Sequence, residues 1–118
     1  MEFHPIIKTL PPEVAFALGR VKTAHENRAH YRQKVKTADA RLESARRDNL
    51  AFGMYEDCGD SYRATYDEAK ASREAYIEIR ISTEKFYKMV KAQFLEAFPD
   101  HREALDALIP GALAHVDD

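Results

Sequence analysis

The longest regular pattern in the chain is a heptad repeat of small and apolar residues between Pro12 and about Glu56. Steps of three and four between these positions return side chains to one face of an α-helix, so we expect a helix over about residues 12–56. Arg28 and Asn49 interrupt the repeat, and a polar residue at such a position lowers stability but can fix register. The two rows of the repeat are Val14, Val21, Arg28, Val35, Leu42 and Asn49, and Ala17, Ala24, Tyr31, Ala38, Ala45 and Phe52.

A second proline-free segment, from Ser61 to Phe98, has a similar but more polar repeat. It predicts a second long helix, whose apolar face is widened by Tyr66, Tyr87 and Phe94. Its two predicted inward rows are Tyr62, Ala69, Tyr76, Thr83, Val90 and Ala97, and Thr65, Ser72, Ile79, Phe86 and Gln93.

Prolines and one glycine mark the ends of these helices. Pro11 and Pro12 suit the first turn of a helix. The polar residues 57–60, which include Gly59, predict a turn, and Pro99 should end the second helix just before it. Asp100 and Glu103 have the spacing of a capping box, which indicates a short third helix over about residues 100–109.

These elements predict an all-α fold: a long, coiled-coil-like antiparallel helical hairpin with a short C-terminal helix. We expect an extended arm over residues 1–10, a single helical domain over 11–109 and a flexible tail over 110–118. The helical domain then has helices over about 12–56, 61–98 and 100–109, with the turn at about 57–60.

The apolar faces of the two long helices are wider than one neighbouring helix can cover. A homodimer that forms a four-helix bundle would bury the surplus, and two-fold dimers are the commonest assemblies. Ile77, Ile81 and Leu95 lie off the main seam and are candidate partner-binding residues. The alternative is that the third helix or the N-terminal arm covers them.

Length and composition restrict the class of protein. A chain of 118 residues has room for one domain, and it has no apolar stretch long enough to cross a membrane. Residues 1–5 lack the basic and apolar regions of a signal peptide. Cys58 is the only cysteine, so no internal disulfide can form. Together these features favour the cytoplasm.

Charge is unevenly distributed although the net charge is only −2. Residues 20–47 contain nine basic and three acidic side chains. A nucleic-acid-binding helical dimer is therefore an alternative function, although a charged helix face more often serves only solubility. The residues that would bind nucleic acid are Arg28, Arg32, Lys36, Lys85, Lys88 and Lys91.

No motif indicates catalysis, a cofactor or a metal. His25 and His30 are five residues apart, which separates them by about 140° around a helix instead of the shared face that a zinc protease motif needs. Cys58 stands between Asp57 and Gly59, and an acidic neighbour makes a thiol less nucleophilic. We therefore expect no catalytic residues, no cofactor and no metal site.

The favoured function is a non-enzymatic helical protein–protein interaction module. Adaptors, chaperones and inhibitors encoded by viruses or mobile elements are proteins of this build. The hairpin plan resembles the WXG family, but the chain has no tryptophan for that family's turn motif. Residues 10–13 (LPPE) resemble the start of the PPE family over those four positions alone. Neither resemblance assigns a family.

Overall fold

A computed structural model describes residues 9–54 and 59–115. Two long helices pack against each other as a hairpin: α1 spans Pro12–Phe52 and α2 spans Gly59–Ala97. A 3-10 turn at Pro99–His101, a short helix α3 at Arg102–Leu108 and a second 3-10 turn at Ala112–His115 follow. No strand occurs in these described ranges, so the prediction of an all-α hairpin with a short third helix is confirmed.

Prolines set the helix boundaries as the sequence predicts. α1 begins at Pro12, and the Ala15 N–H donates to the Pro11 carbonyl at 2.9 Å. α2 ends at Ala97, two residues before Pro99. The predicted capping box is wrong: a 3-10 turn precedes α3, and neither short helix has a side-chain cap. Residues 1–8 of the predicted arm and 55–58 of the predicted turn lie outside the described residues.

The fold divides into two compact units. The first, which we call the three-helix unit, combines the chain up to Arg28 with the chain from Thr83 onwards. The second, the two-helix unit, comprises Ala29–Ser82. Each unit therefore contains part of α1 and part of α2, and α3 belongs to the three-helix unit alone.

The core of the three-helix unit is built from large apolar side chains. Leu105 of α3 is fully buried, and so is Leu18 of α1, which lies outside the predicted rows. The Nζ of Lys91, itself buried, donates to the Ala112 carbonyl at 3.2 Å and ties the C-terminal segment to α2. The core residues are Val14, Leu18, Val21, Ala24, Tyr87, Val90, Phe94, Ala104, Leu105, Ile109 and Ala112.

The two-helix unit is packed through small side chains. Its buried apolar residues, in the part of the unit that is described, are Val35, Ala38, Ala45 and Ala69. Near the turn, a Cβ atom on Gly59 would collide with the carbonyl of Gly53, so only glycine allows this approach. The Arg73 guanidinium also donates to the Asp39 carboxylate, which links α2 to α1.

One predicted row of α2 is wrong by one position. The rows of α1 and the first row of α2 are buried or half-buried except for Phe52 and Ala97. In the second predicted row only Ser72 is half-buried, and Thr65, Ile79, Phe86 and Gln93 are exposed. Long side chains take the inward positions instead, and all of them except Phe94 have a polar end beyond an apolar stem. These are Tyr66, Arg73, Arg80, Tyr87 and Phe94.

Candidate functional site

Tyr87 forms the centre of a charged cluster inside the three-helix unit. Its side chain is only 1% exposed. The guanidinium carbon of Arg28 lies 3.7 Å from the ring centroid, and the Nζ of Lys91 lies 5.3 Å from it. Arg28 also approaches Glu84, with 3.6 Å between Nη1 and Oε2. A cation above an aromatic face is attracted by the ring, most strongly when both are removed from water.

His25 completes this cluster. Its Nδ1 accepts hydrogen bonds from Nε and Nη2 of Arg28, at 3.2 and 3.1 Å. Arginine can only donate, so Nδ1 is the acceptor in this contact. The His25 ring also lies 5.7 Å from the Tyr87 ring. The cluster thus joins α1 to α2 through contacts made almost entirely inside the protein.

The residues predicted to bind nucleic acid differ in burial and belong to both units. Arg28 and Lys91 are engaged in the cluster around Tyr87 and present little surface to a ligand. Lys85 and Lys88 are exposed on α2 of the three-helix unit. Arg32 and Lys36 are also exposed, but they belong to the two-helix unit.

The predicted partner-binding residues are likewise divided between the units. Leu95 is half-buried and packs against the core of the three-helix unit. Ile77 is half-buried and Ile81 is exposed, both in the two-helix unit. Leu95 therefore has an internal structural role, and the binding of a partner by Ile77 and Ile81 stays a prediction.

A shallow apolar groove opens between α1 and α2 in the three-helix unit. Its volume is about 160 Å³. Its lining residues are Ala17, Arg20, Val90, Gln93, Phe94, Ala97 and Phe98.

Large apolar side chains are exposed around this groove. Phe86 and Met89 of α2 are each 47% exposed, and Phe16 of α1 is 73% exposed. Phe86, Met89, Gln93 and Ala97 follow one another at steps of three and four, so they share one face of α2. We call these four residues, together with Ala17 and Phe16 of α1, the groove face. Sequence reasoning placed Phe86 and Gln93 inward and missed Met89 and Phe16.

The two-helix unit also exposes apolar side chains. Leu50 is 70% exposed and Met54 is 94% exposed. Phe52 is partly covered by Tyr62, with 5.1 Å between the ring centroids. These residues stand next to residues 55–58, which the structure does not describe, and Cys58 is one of those.

An exposed ion pair perturbs two charged groups of the two-helix unit. The Glu43 carboxylate accepts hydrogen bonds from Nη2 and Nε of Arg46, at 2.7 and 3.2 Å. These hydrogen bonds lower the pKa of Glu43, and the charge of Arg46 lowers it further. The same pair raises the pKa of Arg46. Because both side chains are about half exposed, solvent screens the interaction.

Within residues 9–54 and 59–115, no group of three histidine, cysteine or acidic side chains is arranged to hold a metal ion. None of the described helices combines the length and the apolar character needed to cross a membrane. Comparisons with protein-family models, curated proteins and solved structures found no significant match.

Proposed function

We propose that this protein is a non-enzymatic helical interaction module that binds a protein partner through the groove face. One observation carries the proposal: Phe16, Phe86 and Met89 are exposed in the unit that also has an open apolar groove, and Phe86 and Met89 share a helix face with Gln93, which lines that groove. A contiguous exposed apolar patch typically marks an interaction site, whereas single exposed apolar residues are ordinary.

The assembly that we propose is a homodimer in which two copies join their groove faces. α1 and α2 of one copy would then pack against α1 and α2 of the other as a four-helix bundle. Small residues favour such packing, because Ala17 and Ala97 allow close approach of a partner helix. A two-fold dimer also needs only one self-complementary surface.

The proposed class is a protein that occupies the surface of a partner, such as an adaptor, a chaperone or an inhibitor encoded by a virus or mobile element. We propose no enzymatic activity, cofactor or metal. The inward-facing charged side chains Arg28 and Lys91 are engaged in contacts that hold the helices together. The single cysteine supports a reducing compartment, and we place the protein in the cytoplasm.

Analytical ultracentrifugation of the full chain tests this proposal. We expect a dimer at micromolar concentration and a folded monomer for the variant Phe86→Glu/Met89→Glu, since a charge in each of these positions would be buried by the dimer. Leu50→Glu is the matched control, because it introduces the same charge at an exposed leucine of the two-helix unit. A wild-type chain that stays monomeric up to millimolar concentration would contradict the proposed assembly.

Nucleic-acid binding is the second candidate, and the exposure of Lys85, Lys88, Arg32 and Lys36 supports it. It ranks lower because Arg28 and Lys91 are occupied inside the protein. Binding to a labelled DNA or RNA duplex at low salt, weakened by Lys85→Gln/Lys88→Gln and by added salt, is the expected result for this function. If the protein does not change the mobility of the labelled duplex at 20 mM salt, nucleic-acid binding is ruled out.

A further inference from the structure

His25 holds one edge of the Arg28 guanidinium inside the three-helix unit. The histidine ring is half-buried, and its Nδ1 accepts from both Nε and Nη2 of Arg28, at 3.2 and 3.1 Å. The remaining nitrogen, Nη1, lies 3.6 Å from the Glu84 carboxylate, and the guanidinium carbon lies 3.7 Å from the centroid of the Tyr87 ring. The contact with His25 therefore helps to fix the guanidinium over the buried ring.

Protonation of His25 is incompatible with this contact. A neutral imidazole has one nitrogen that accepts a hydrogen bond, whereas both nitrogens of an imidazolium donate. The two hydrogen bonds from Arg28 would be lost. Two positive charges would also stand about 3 Å apart, at an arginine that is only 17% exposed, where water screens them weakly. Histidine changes its charge between about pH 5 and 8, so mild acidification produces this change.

The contacts of the cluster bring more positive than negative charge to His25. Lys91 of α2 lies 5.3 Å from the centroid of the Tyr87 ring and adds a cation to that of Arg28. Glu84 of α2 supplies a negative charge, but it faces the Arg28 guanidinium. Tyrosine is uncharged between pH 5 and 8. The charged neighbours of His25 on its own helix pair with each other at 3.9 Å and are Lys22 and Glu26.

We propose that His25 is a pH sensor of the three-helix unit. In its neutral form it holds the Arg28 guanidinium over the Tyr87 ring and so supports the contact between α1 and α2. In its protonated form it repels the guanidinium, and this contact weakens. Below about pH 6.5, where a histidine of the unfolded chain takes up its proton, the unfolded state binds that proton more readily than the folded state, so stability falls with the pH.

Urea denaturation of the full chain at pH 7.5 and at pH 5.5, followed by circular dichroism at one protein concentration, tests this proposal. His25→Asn is the test variant, because its side-chain oxygen takes the place of Nδ1, accepts hydrogen bonds and does not titrate. Between the two pH values, the folding equilibrium constant of the wild type should fall about five- to tenfold more than that of His25→Asn. His30→Asn makes the same change at an exposed histidine of α1 and should keep the wild-type profile.

Arg28→Gln tests whether Arg28 is the group to which His25 responds. Glutamine carries no charge, so protonation of His25 meets no repulsion at position 28. In the Arg28→Gln background, His25→Asn should therefore alter the pH dependence by less than about twofold. A pH dependence of His25 that survives Arg28→Gln would overturn the proposal, because the effect would then come from another group.

The wild-type profile itself can also contradict the proposal. Equal pH profiles for the wild type and His25→Asn would overturn it. So would a wild type that gains stability relative to His25→Asn at pH 5.5, because Glu84 would then favour the protonated ring. If His25→Asn does not fold, His25→Gln, whose oxygen also accepts hydrogen bonds, takes its place. The comparison does not involve the groove face, so its failure is distinguishable from failure of the proposed dimer.

Discussion

The three-helix unit and the two-helix unit use the same two long helices but bury different side chains. The first buries Leu18, Phe94 and Leu105 in a core to which α3 contributes. Among the described residues of the second, three of the four buried apolar side chains are alanine. Full burial of a leucine or phenylalanine contributes about 1.5–3 kcal/mol, and a methyl group contributes much less. Hydrophobic stabilisation is therefore concentrated in the three-helix unit.

Each unit also joins α1 to α2 through an arginine, and the two arginines have different surroundings. In the three-helix unit, the Arg28 side chain is 17% exposed and lies over the buried Tyr87 ring. In the two-helix unit, the Arg73 side chain is 38% exposed and pairs with Asp39. An ion pair that stays in contact with water contributes little to stability. Arg28 should therefore stabilise the three-helix unit more than Arg73 stabilises the two-helix unit.

The largest effect that we predict comes from removing a side chain of the three-helix core. Leu105→Ala should lower the free energy of unfolding by about 2–5 kcal/mol, because it loses buried apolar area and leaves a cavity. Leu50→Ala, at a leucine of the two-helix unit that is 70% exposed, should change it by at most about 0.5 kcal/mol. Urea denaturation followed by circular dichroism measures both. Equal losses would refute the concentration of stability in the three-helix unit.

The two arginines give the next largest difference. Arg28→Ala removes the contacts to Tyr87, Glu84 and His25, and should lower the free energy of unfolding by about 2 kcal/mol. Arg73→Ala removes one exposed ion pair and should lower it by about 0–1 kcal/mol. The same denaturation experiment compares them directly. If Arg73→Ala lowers the free energy of unfolding as much as Arg28→Ala does, the ion pair of Arg73 with Asp39 stabilises the two-helix unit more than its exposure to solvent indicates.

Periodicity predicted α1 well because valine and alanine occupy its inward positions. On α2 the inward positions 73 and 80 are arginine, whereas the neighbouring position 79 is isoleucine. Counting apolar residues therefore favoured the wrong row. Arginine can bury its stem and still satisfy its charge, but the partner that allows this, Asp39 for Arg73, comes from the other helix. The pattern of a single helix does not contain that partner.

The sequence pattern did not predict that Phe86 would be exposed on the groove face, for a related reason. Phe86 and Tyr87 are adjacent aromatic residues, and apolarity alone favours burial of Phe86. The structure buries Tyr87 in the core, with the cations of Arg28 and Lys91 over its ring, and leaves Phe86 exposed. The sequence prediction of a partner surface at Ile77, Ile81 and Leu95 did not include Phe86, which it placed in an inward row.

Hydrogen exchange extends the comparison along one helix. The amides of α1 within residues 12–28 and within 29–52 make the same kind of helical hydrogen bond, so differences in protection report how readily each unit opens. We expect amides around Leu18 and Val21 to be protected at least about tenfold more than those around Ala38 and Ala45, a difference of about 1.4 kcal/mol. Uniform protection along α1 would show that the two units open together.

The smallest effect concerns the exposed pair Glu43 and Arg46 of the two-helix unit. The hydrogen bonds from Arg46 hold the pKa of Glu43 below its ordinary value in the folded protein. A carboxyl whose pKa is lowered by folding stabilises the fold above its unfolded pKa, and that contribution disappears as the pH falls through the folded pKa. Arg46→Gln should therefore reduce stability slightly at neutral pH and leave it unchanged at pH 2.

The carboxyl carbon of Glu43, followed by nuclear magnetic resonance during an acid titration, reports this pKa directly. Arg46→Gln should raise the midpoint towards the ordinary glutamate value. Arg47→Gln removes the same charge from the next residue, which gives Glu43 no hydrogen bond and contributes least to lowering its pKa, so the midpoint should move much less. Equal shifts in the two variants would mean that general charge, and not the hydrogen-bonded pair, sets the pKa of Glu43. The pKa of Glu43 would then depend on the total charge around its carboxylate, and the particular contact with Arg46 would add nothing.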